Sequence, residues 1–304
     1  MGLSSWNAKI RNRLRYVGSA WRLFGPRMGM TSLMHHLTGR GGAVYYDRLV
    51  EAVWRRFMCE LPLDVQALAA TPAVNDGPIW LMWWQGLDGG EPDLVKACVA
   101  SIRRHAAGRS VHVITRDNIA QYATIDSSVM RKVEEGRITL TTLSDIVRFA
   151  VLSAHGGMWM DATIYLTADL PQRIAHCPFY SIPNHETAPT RNWTGNFIGG
   201  AQGNPLFAYM YQAFVTLYSL TDHTPDYYII DVMLSAAYTH IPAVRKIIDA
   251  VPPNNLHRFF LAQHLGSAKT SLPADTYAYK LSYKNVAQYE DRDNMYRCVL
   301  NGEL

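Results

Sequence analysis

Long hydrophobic runs are missing from the 304-residue chain: nowhere do about twenty apolar residues follow one another, so a membrane-spanning helix is not expected. The first residues also lack the uninterrupted apolar stretch of a secretory signal, which makes the cytosol the expected compartment. Cysteine is scarce. Cys59, Cys98, Cys177 and Cys298 lie far apart in apolar surroundings and form no C-x-x-C pair, so reduced core thiols are expected rather than a disulfide framework or a zinc site. The eleven histidines show no metal-ligand spacing, and His155 reads as a helix-end residue favoured by the dipole. A large excess of one charge is absent too. Lys and Arg number 29 against 25 Asp and Glu, and the formal +4 is too mild for nucleic acid to be the main partner. There is no internal repeat or low-complexity segment, which excludes solenoids and arrays.

What the chain does have is an ordinary globular composition, 48% hydrophobic and 18% charged, sufficient for one large core or one and a half domains. The basic excess gathers near the start, where Lys9, Arg11, Arg13, Arg15, Arg22 and Arg27 alternate with Ile10, Leu14, Trp21, Leu23 and Phe24. Two readings stand for residues 1–30: peripheral docking on the inner, anionic face of a membrane, or a solvated helix packed on the core. Pro26 and several glycines interrupt the pattern. Residues 1–75 read as an N-terminal helical segment, with Tyr46, Leu49, Val50, Val53, Trp54 and Phe57 recurring at helical spacing. Residues 76–304 read as a second, α/β unit.

That unit opens after the turn-forming Asn75-Asp76-Gly77-Pro78. The short apolar run Ile79 to Trp84 predicts a strand covered on both faces. Glu91-Pro92-Asp93 opens a helix carrying Leu94, Val95, Cys98, Val99 and Ile102 inward. The β-branched stretch Ser110 to Thr115 predicts the next strand. Strand, helix, strand over this span is a βαβ unit with parallel strands, whose ligands lie beyond the carboxyl ends, here Gln85-Gly86 and Arg116-Asp117. A helix is expected from Thr142 or Ser144 to Gly156-Gly157, then a strand from Met158 to Leu166. Further on come a short strand around 178–182, a polar loop to Gly195, and helices from Asn204-Pro205 and near Asp226. After Val251 the chain reads as a tail of little periodicity wrapping the core.

The chemistry-bearing residues cluster at the helix and strand that meet at Gly156-Gly157. Asp145 and Arg148, three apart, share one helix face near its amino end. In a strand, Trp159, Asp161 and Thr163 point to one side, with Met160, Ala162 and Ile164 on the other. Glycines at the joint permit the sharp reversal that brings both sets to one cleft. Asp145 and Arg148 alone could be an ordinary surface pair. Asp161 is harder to explain that way, because a carboxylate in an apolar strand is costly unless it is paired or ligating. Trp80, Trp83 or Trp84 could stack on a base or belong to the core. Asp231 could be a metal ligand, an acceptor-side group or a structural carboxylate. Trp193 and Asn196, beside Gly195, could shape a second pocket.

The segment S-D-I-V-R-F-A-V-L-S-A-H-G-G-M-W-M-D-A-T, residues 144–163, resembles the sugar-binding signature of the capsular polysaccharide synthesis family of glycosyltransferases. It is more distantly similar to the DXD-type retaining transferases that include yeast mannosyltransferases and the clostridial glucosylating toxins. The likeness extends through I-W-L-M-W-W-Q-G, W-T-G-N-F-I-G-G, Y-Y-I-I-D and Y-K-L-S-Y-K, over roughly residues 75–285. It implies a GT-A-like (Rossmann-like) α/β fold, a nucleotide-sugar donor, a glycan or lipid-linked glycan acceptor, and retaining transfer in surface polysaccharide synthesis. Carried over, Asp145 and Arg148 would contact donor sugar and ribose, and Asp161 the ribose and a diphosphate bridged by Mn2+ or Mg2+. On the reading of the residues themselves, Trp159, Thr163 and Trp84 are expected at the donor site, and Asp231 is a candidate second acid beside Asp161 at the metal. Thr163 stands where the distant relatives carry the second acid of DXD. Three outcomes stay open: weaker metal affinity, another acid such as Asp231 at the metal, or partial replacement of the metal by Lys280 and Lys284 neutralising phosphate directly. The loss of that acid also keeps open a non-catalytic nucleotide-sugar- or glycan-binding protein on the same fold.

Overall fold

The computed structural model describes residues 3–184, 191–289 and 293–304, with side chains from residue 10 onward. The Lys9 side chain and residues 185–190 of the expected polar loop lie outside the described residues. Four helices come first: α1 (Leu3–Phe24), α2 (Pro26–Thr38), α3 (Gly42–Arg56) and the short α4 (Val65–Ala69). In α3 the row Tyr45, Leu49, Val53 is buried at four-residue spacing, while Tyr46, Val50 and Trp54 flank it half-buried. The inward stripe is thus turned slightly from the one expected.

The α/β part follows as β1 (Ile79–Met82), α5 (Asp93–Arg104), β2 (Val111–Ile114), α6 (Ile119–Tyr122), α7 (Ser127–Glu134), α8 (Leu140–His155), β3 (Gly157–Met160), β4 (Ile164–Leu166) and β5 (Phe179–Ser181). Beyond the undescribed stretch come β6 (Phe197–Gly200), α9 (Pro205–Leu220), α10 (Ile229–His240), α11 (Pro242–Asp249), α12 (Phe260–His264), β7 (Ala278–Lys280) and α13 (Met295–Asn301). One sheet has the order β2-β1-β3-β6-β5. In it β1 pairs in parallel with β2 (Ile79 opposite Val111) and with β3 (Ile79 opposite Met158), while β6 runs antiparallel to β3. The parallel βαβ unit is as expected, and the architecture is α/β. A second, two-stranded sheet pairs β4 with β7, Ile164 opposite Lys280.

Four expectations need correction. The helix bearing Asp145 starts earlier, at Leu140, because Thr139 caps it: its hydroxyl accepts from the Thr142 amide at 3.2 Å. Asp145 therefore lies in the second turn. The expected strand 158–166 breaks in two at residues 161–163. The Asp161 amide donates to the Asn196 carbonyl and the Ile164 amide donates back to the Asp161 carbonyl, closing a turn. The segment after Val251 does more than wrap the core, since Leu261, Tyr279, Met295 and Val299 pack with Leu94, Cys98 and Tyr165 into a core of their own. Finally, the cysteines are all free, but Cys59 is exposed rather than in the core.

The Gly156-Gly157 joint has two separate requirements. Both residues have positive φ, 64° and 91°, and a Cβ on Gly157 would lie 2.1 Å from the Pro78 carbonyl oxygen. Only glycine lets β3 approach β1 so closely. Behind the sheet, one apolar cluster joins Tyr45, Leu49 and Val53 of α3 to Phe149 of α8, Phe214 of α9 and Met233 of α10. Polar ties cross the same boundary: Tyr45 Oη donates to Asp226 Oδ2 at 2.9 Å, and Tyr209 Oη to the Met58 carbonyl at 2.7 Å.

Candidate active site

The carboxyl ends of β1 and β3, the second turn of α8 and the start of α10 surround a cleft of about 580 Å³. It lies where open α/β sheets bind ligands. Asp145, Arg148, Trp159, Asp161, Thr163, Trp84, Asp231, Lys280 and Lys284 all line it. Helix spacing accounts for Asp145 beside Arg148. The turn at 161–163 brings in Asp161 and Thr163, and because it is a turn, Ala162 also faces the cleft instead of the opposite side. Trp84 comes from beyond β1, Asp231 from α10, and Lys280 and Lys284 from β7 and the segment after it.

Asp161 is the point of convergence. Its Oδ1 accepts from Trp159 Nε1 at 3.1 Å and from Arg148 Nη2 at 3.3 Å; its Oδ2 accepts from Lys280 Nζ at 2.6 Å. Lys280 Nζ also donates to Thr163 Oγ1 at 2.8 Å. Arg148, only 5% exposed, donates its Nη1 to Asp145 Oδ1 at 2.7 Å, and its guanidinium lies 5.0 Å from the centroid of the Trp159 ring. Among the described residues its Nε has no partner. Gly195 gives this guanidinium room, since a Cβ there would stand 2.9 Å from Ile230 Cδ1 and 3.1 Å from Arg148 Nη1.

The two acids that share Arg148 are driven in opposite directions. Burial pushes Asp145 up to about 6 against the opposing pull of Arg148. Burial would raise Asp161 as well, but Lys280 and Arg148 together overcome it and hold that carboxyl far below the usual range. Asp231 is raised by burial, with Arg191 opposing, and accepts from Trp193 Nε1 at 3.1 Å. Trp193 is thus buried behind the cleft, whereas Asn196 lines it.

Of the three candidate tryptophans, Trp83 and Trp84 reach the cleft and Trp80 does not. Trp80 is buried against His112 and donates to the Gly156 carbonyl at 2.9 Å, a core role. His155 contacts the Tyr122 carbonyl at the helix end, away from the cleft. Sequence reasoning missed Tyr227, Tyr228 and Tyr283, which stand exposed at the cleft rim. The available signal was aromatic residues set in otherwise polar turns.

The donor set does not suit a divalent cation. Both Asp161 oxygens already accept from cationic or indole donors, Thr163 offers a neutral oxygen already engaged by Lys280, and Asp231 is bonded to Trp193. Among the described residues no group of three or more His, Cys, Asp and Glu is arranged to hold a metal.

The fold and the cleft define an α/β protein with a charge-lined cleft at the carboxyl ends of its parallel strands. The family model described as "Capsular polysaccharide synthesis protein" matches residues 53–299, and the chain belongs to that family. Among solved structures it is similar to one titled "PaToxG Glycosyltransferase", at 16% identity and a TM-score of 0.39, covering 68% of this chain and 84% of that one. A second, the structure of a transferase carrying two cysteine-to-serine substitutions, is similar at 13% identity and a TM-score of 0.31, covering 60% and 88%. No curated protein matched in the corresponding sequence comparison.

Proposed function

We propose that this chain transfers a sugar from a nucleotide-sugar donor to a glycan acceptor, with retention, in the assembly of a surface polysaccharide. The observation that carries the reading is the ring of donors fixed around Asp161 at the bottom of the cleft. Lys280 at the floor and Lys284 at the mouth supply positive charge for a diphosphate, whose charge grows as the sugar leaves. Asp145 and Asp161 present carboxylate oxygens to sugar and ribose hydroxyls, with Arg148 fixing their spacing. Trp83 or Trp84 offers an apolar face for the base, and the exposed Tyr227 and Tyr228 form the acceptor side.

The reading uses no dedicated protein nucleophile: the acceptor hydroxyl attacks on the same face from which the diphosphate departs, and the departing phosphate oxygen takes the hydroxyl proton. Asp161→Asn tests the reading by radiolabelled-sugar transfer or donor hydrolysis. The expected loss is about 100- to 1,000-fold in kcat, the scale of removing one fixed electrostatic contact. Near-normal turnover would remove Asp161 from the mechanism. Thr163 favours the second reading, a binding protein without catalysis. Donor binding with neither transfer nor hydrolysis under any ionic condition would decide for it.

We further propose that α1 and α2 rest on an anionic membrane surface. Among the described residues, no helix is long and apolar enough to cross a membrane. Ala20, Leu23 and Met28 turn inward, while Leu14, Trp21 and Met30 stay exposed among Arg11, Arg13, Arg15, Arg22 and Arg27. The inner side fits the packed-helix expectation, and the outer side has the composition of an interfacial helix. Co-sedimentation should occur with vesicles containing phosphatidylserine and fall on Trp21→Glu. Equal binding to neutral vesicles, or none to anionic ones, would refute the contact.

A further inference from the structure

The side-chain oxygens of Asp161 and Thr163 are bridged by a cation of the protein itself, the Lys280 ammonium. We infer that the Lys280 ammonium supplies the diphosphate-binding charge at this position, so that donor binding by this chain requires no divalent metal. The inference rests on the proposed nucleotide-sugar reading and specifies how that site holds its phosphates.

Three observations carry it. The first is placement by backbone. In the β4/β7 pair, Lys280 lies opposite Ile164, next to the turn that holds Asp161 and Thr163. Its own amide donates to the Arg258 carbonyl at 2.8 Å, and the next amide, of Leu281, donates to the Thr163 carbonyl at 2.9 Å. The lysine is therefore anchored on both sides of its Cα and directed at the turn. It is not a long surface side chain that happens to reach an acid.

The second observation is donor arithmetic. An ammonium has three N–H groups. Two are used within the protein, on Asp161 Oδ2 at 2.6 Å and Thr163 Oγ1 at 2.8 Å. The third remains for a ligand oxygen, and Lys280, 23% exposed, is open to the cleft. A metal held by the same two residues would likewise bind them on one side and phosphate oxygen on the other.

The third is charge balance. A second acid at position 163 with a dication would sum to zero; Asp161, a neutral Thr163 and a monocation also sum to zero. Exchanging acid for threonine and metal for lysine leaves the formal charge of the site unchanged. A dication added beside the Lys280 ammonium would instead meet repulsion and a carboxylate already occupied.

The test uses the full-length protein and inorganic pyrophosphate, titrated calorimetrically in EDTA and again with manganese. Wild type should bind with the same Kd within about 2-fold in both. Lys280→Met, which keeps the apolar stem, should weaken binding in EDTA by at least about 10-fold, and Lys280→Arg should recover part of it. Manganese alone, followed by its electron paramagnetic resonance, should not bind wild type but should bind the double variant Thr163→Asp/Lys280→Ala. Unchanged melting temperatures would establish that each variant is folded. Wild type binding pyrophosphate only with manganese would overturn the inference and leave the donor reading standing. Normal binding by folded Lys280→Met would overturn it as well. Binding by wild type under neither condition would overturn both, since the cleft would then not be a diphosphate site.

Discussion

Replacing Arg148 by methionine should cost the protein stability before it costs anything else, and the size of the loss follows from its surroundings. The guanidinium is 5% exposed, holds Asp145 at 2.7 Å and Asp161 at 3.3 Å, and lies over Trp159. Methionine keeps much of the packing against the ring but leaves Asp145 buried without its cation. Deleting one partner of such a pair typically costs about 3–5 kcal/mol, because the remaining charge is stranded in a poor solvent. With an unfolding entropy of about 2.1 cal/mol/K per residue, a chain of this length should melt roughly 5–8 °C lower. Asp145 can escape part of that penalty by taking up a proton, so the deficit should shrink as the pH is lowered. The double variant Asp145→Asn/Arg148→Met removes the stranded charge and should melt higher than Arg148→Met alone. Differential scanning calorimetry of the four members of this cycle at pH 7 measures the coupling directly. A fall of less than about 2 °C for Arg148→Met, or strict additivity in the cycle, would show that the buried guanidinium does not hold these acids together.

The same two acids predict opposite pH dependences of stability. For Asp145, raised to about 6, the folded state binds more protons than the unfolded state between the ordinary carboxyl value and 6, so its contribution falls as pH rises through that window. Asp145→Asn should therefore gain melting temperature relative to wild type as the pH goes from 4 to 7; a constant offset would refute the shift. For Asp161, held far below the ordinary value, the contribution is present above that value and lost as pH falls beneath it. Asp161→Asn should consequently flatten the acid limb of the wild-type stability curve, and an unchanged limb would mean that Lys280 and Arg148 do not stabilise the ionised form.

Much of this was legible in the sequence, and the misses have physical causes. The Ile79 run, the βαβ unit and the Gly-Gly joint were readable because apolar periodicity and glycine chemistry are local properties. The break at 161–163 was not, because it is made by a partner far along the chain, the Asn196 carbonyl that accepts from the Asp161 amide. β6 escaped notice for a related reason. Gly199 and Gly200 look like turn residues, yet they permit close packing, since Cβ atoms there would stand 2.1 Å from the carbonyl oxygen of Gly157 in β3 and 2.2 Å from that of Pro178, just before β5. The tail after Val251 has short elements whose apolar partners, such as Leu94 and Tyr165, are distant in sequence. Lys280 could be suspected of phosphate binding from its charge, but its contact with Asp161 and Thr163 depends on the β4/β7 register, which no local pattern encodes.

That register also sorts the cations of the cleft by what each can do. Arg148 has its two terminal nitrogens on carboxylates and almost no surface, so its part is to hold those acids, Asp145 and Asp161, in place. Lys280 is held by two oxygens with one N–H to spare, and Lys284 is exposed at the mouth. A diphosphate entering the cleft would thus meet positive charge of increasing order from rim to floor, and the floor charge is oriented before the ligand arrives. Charges fixed in advance need no reorganisation when the leaving group becomes anionic, which is the condition under which electrostatic stabilisation contributes most to a rate. The Asp161 carboxylate is what provides that orientation. Its neutral replacement should therefore damage the chemical step more than the binding of pyrophosphate, and a variant that lost both equally would assign Asp161 to affinity alone.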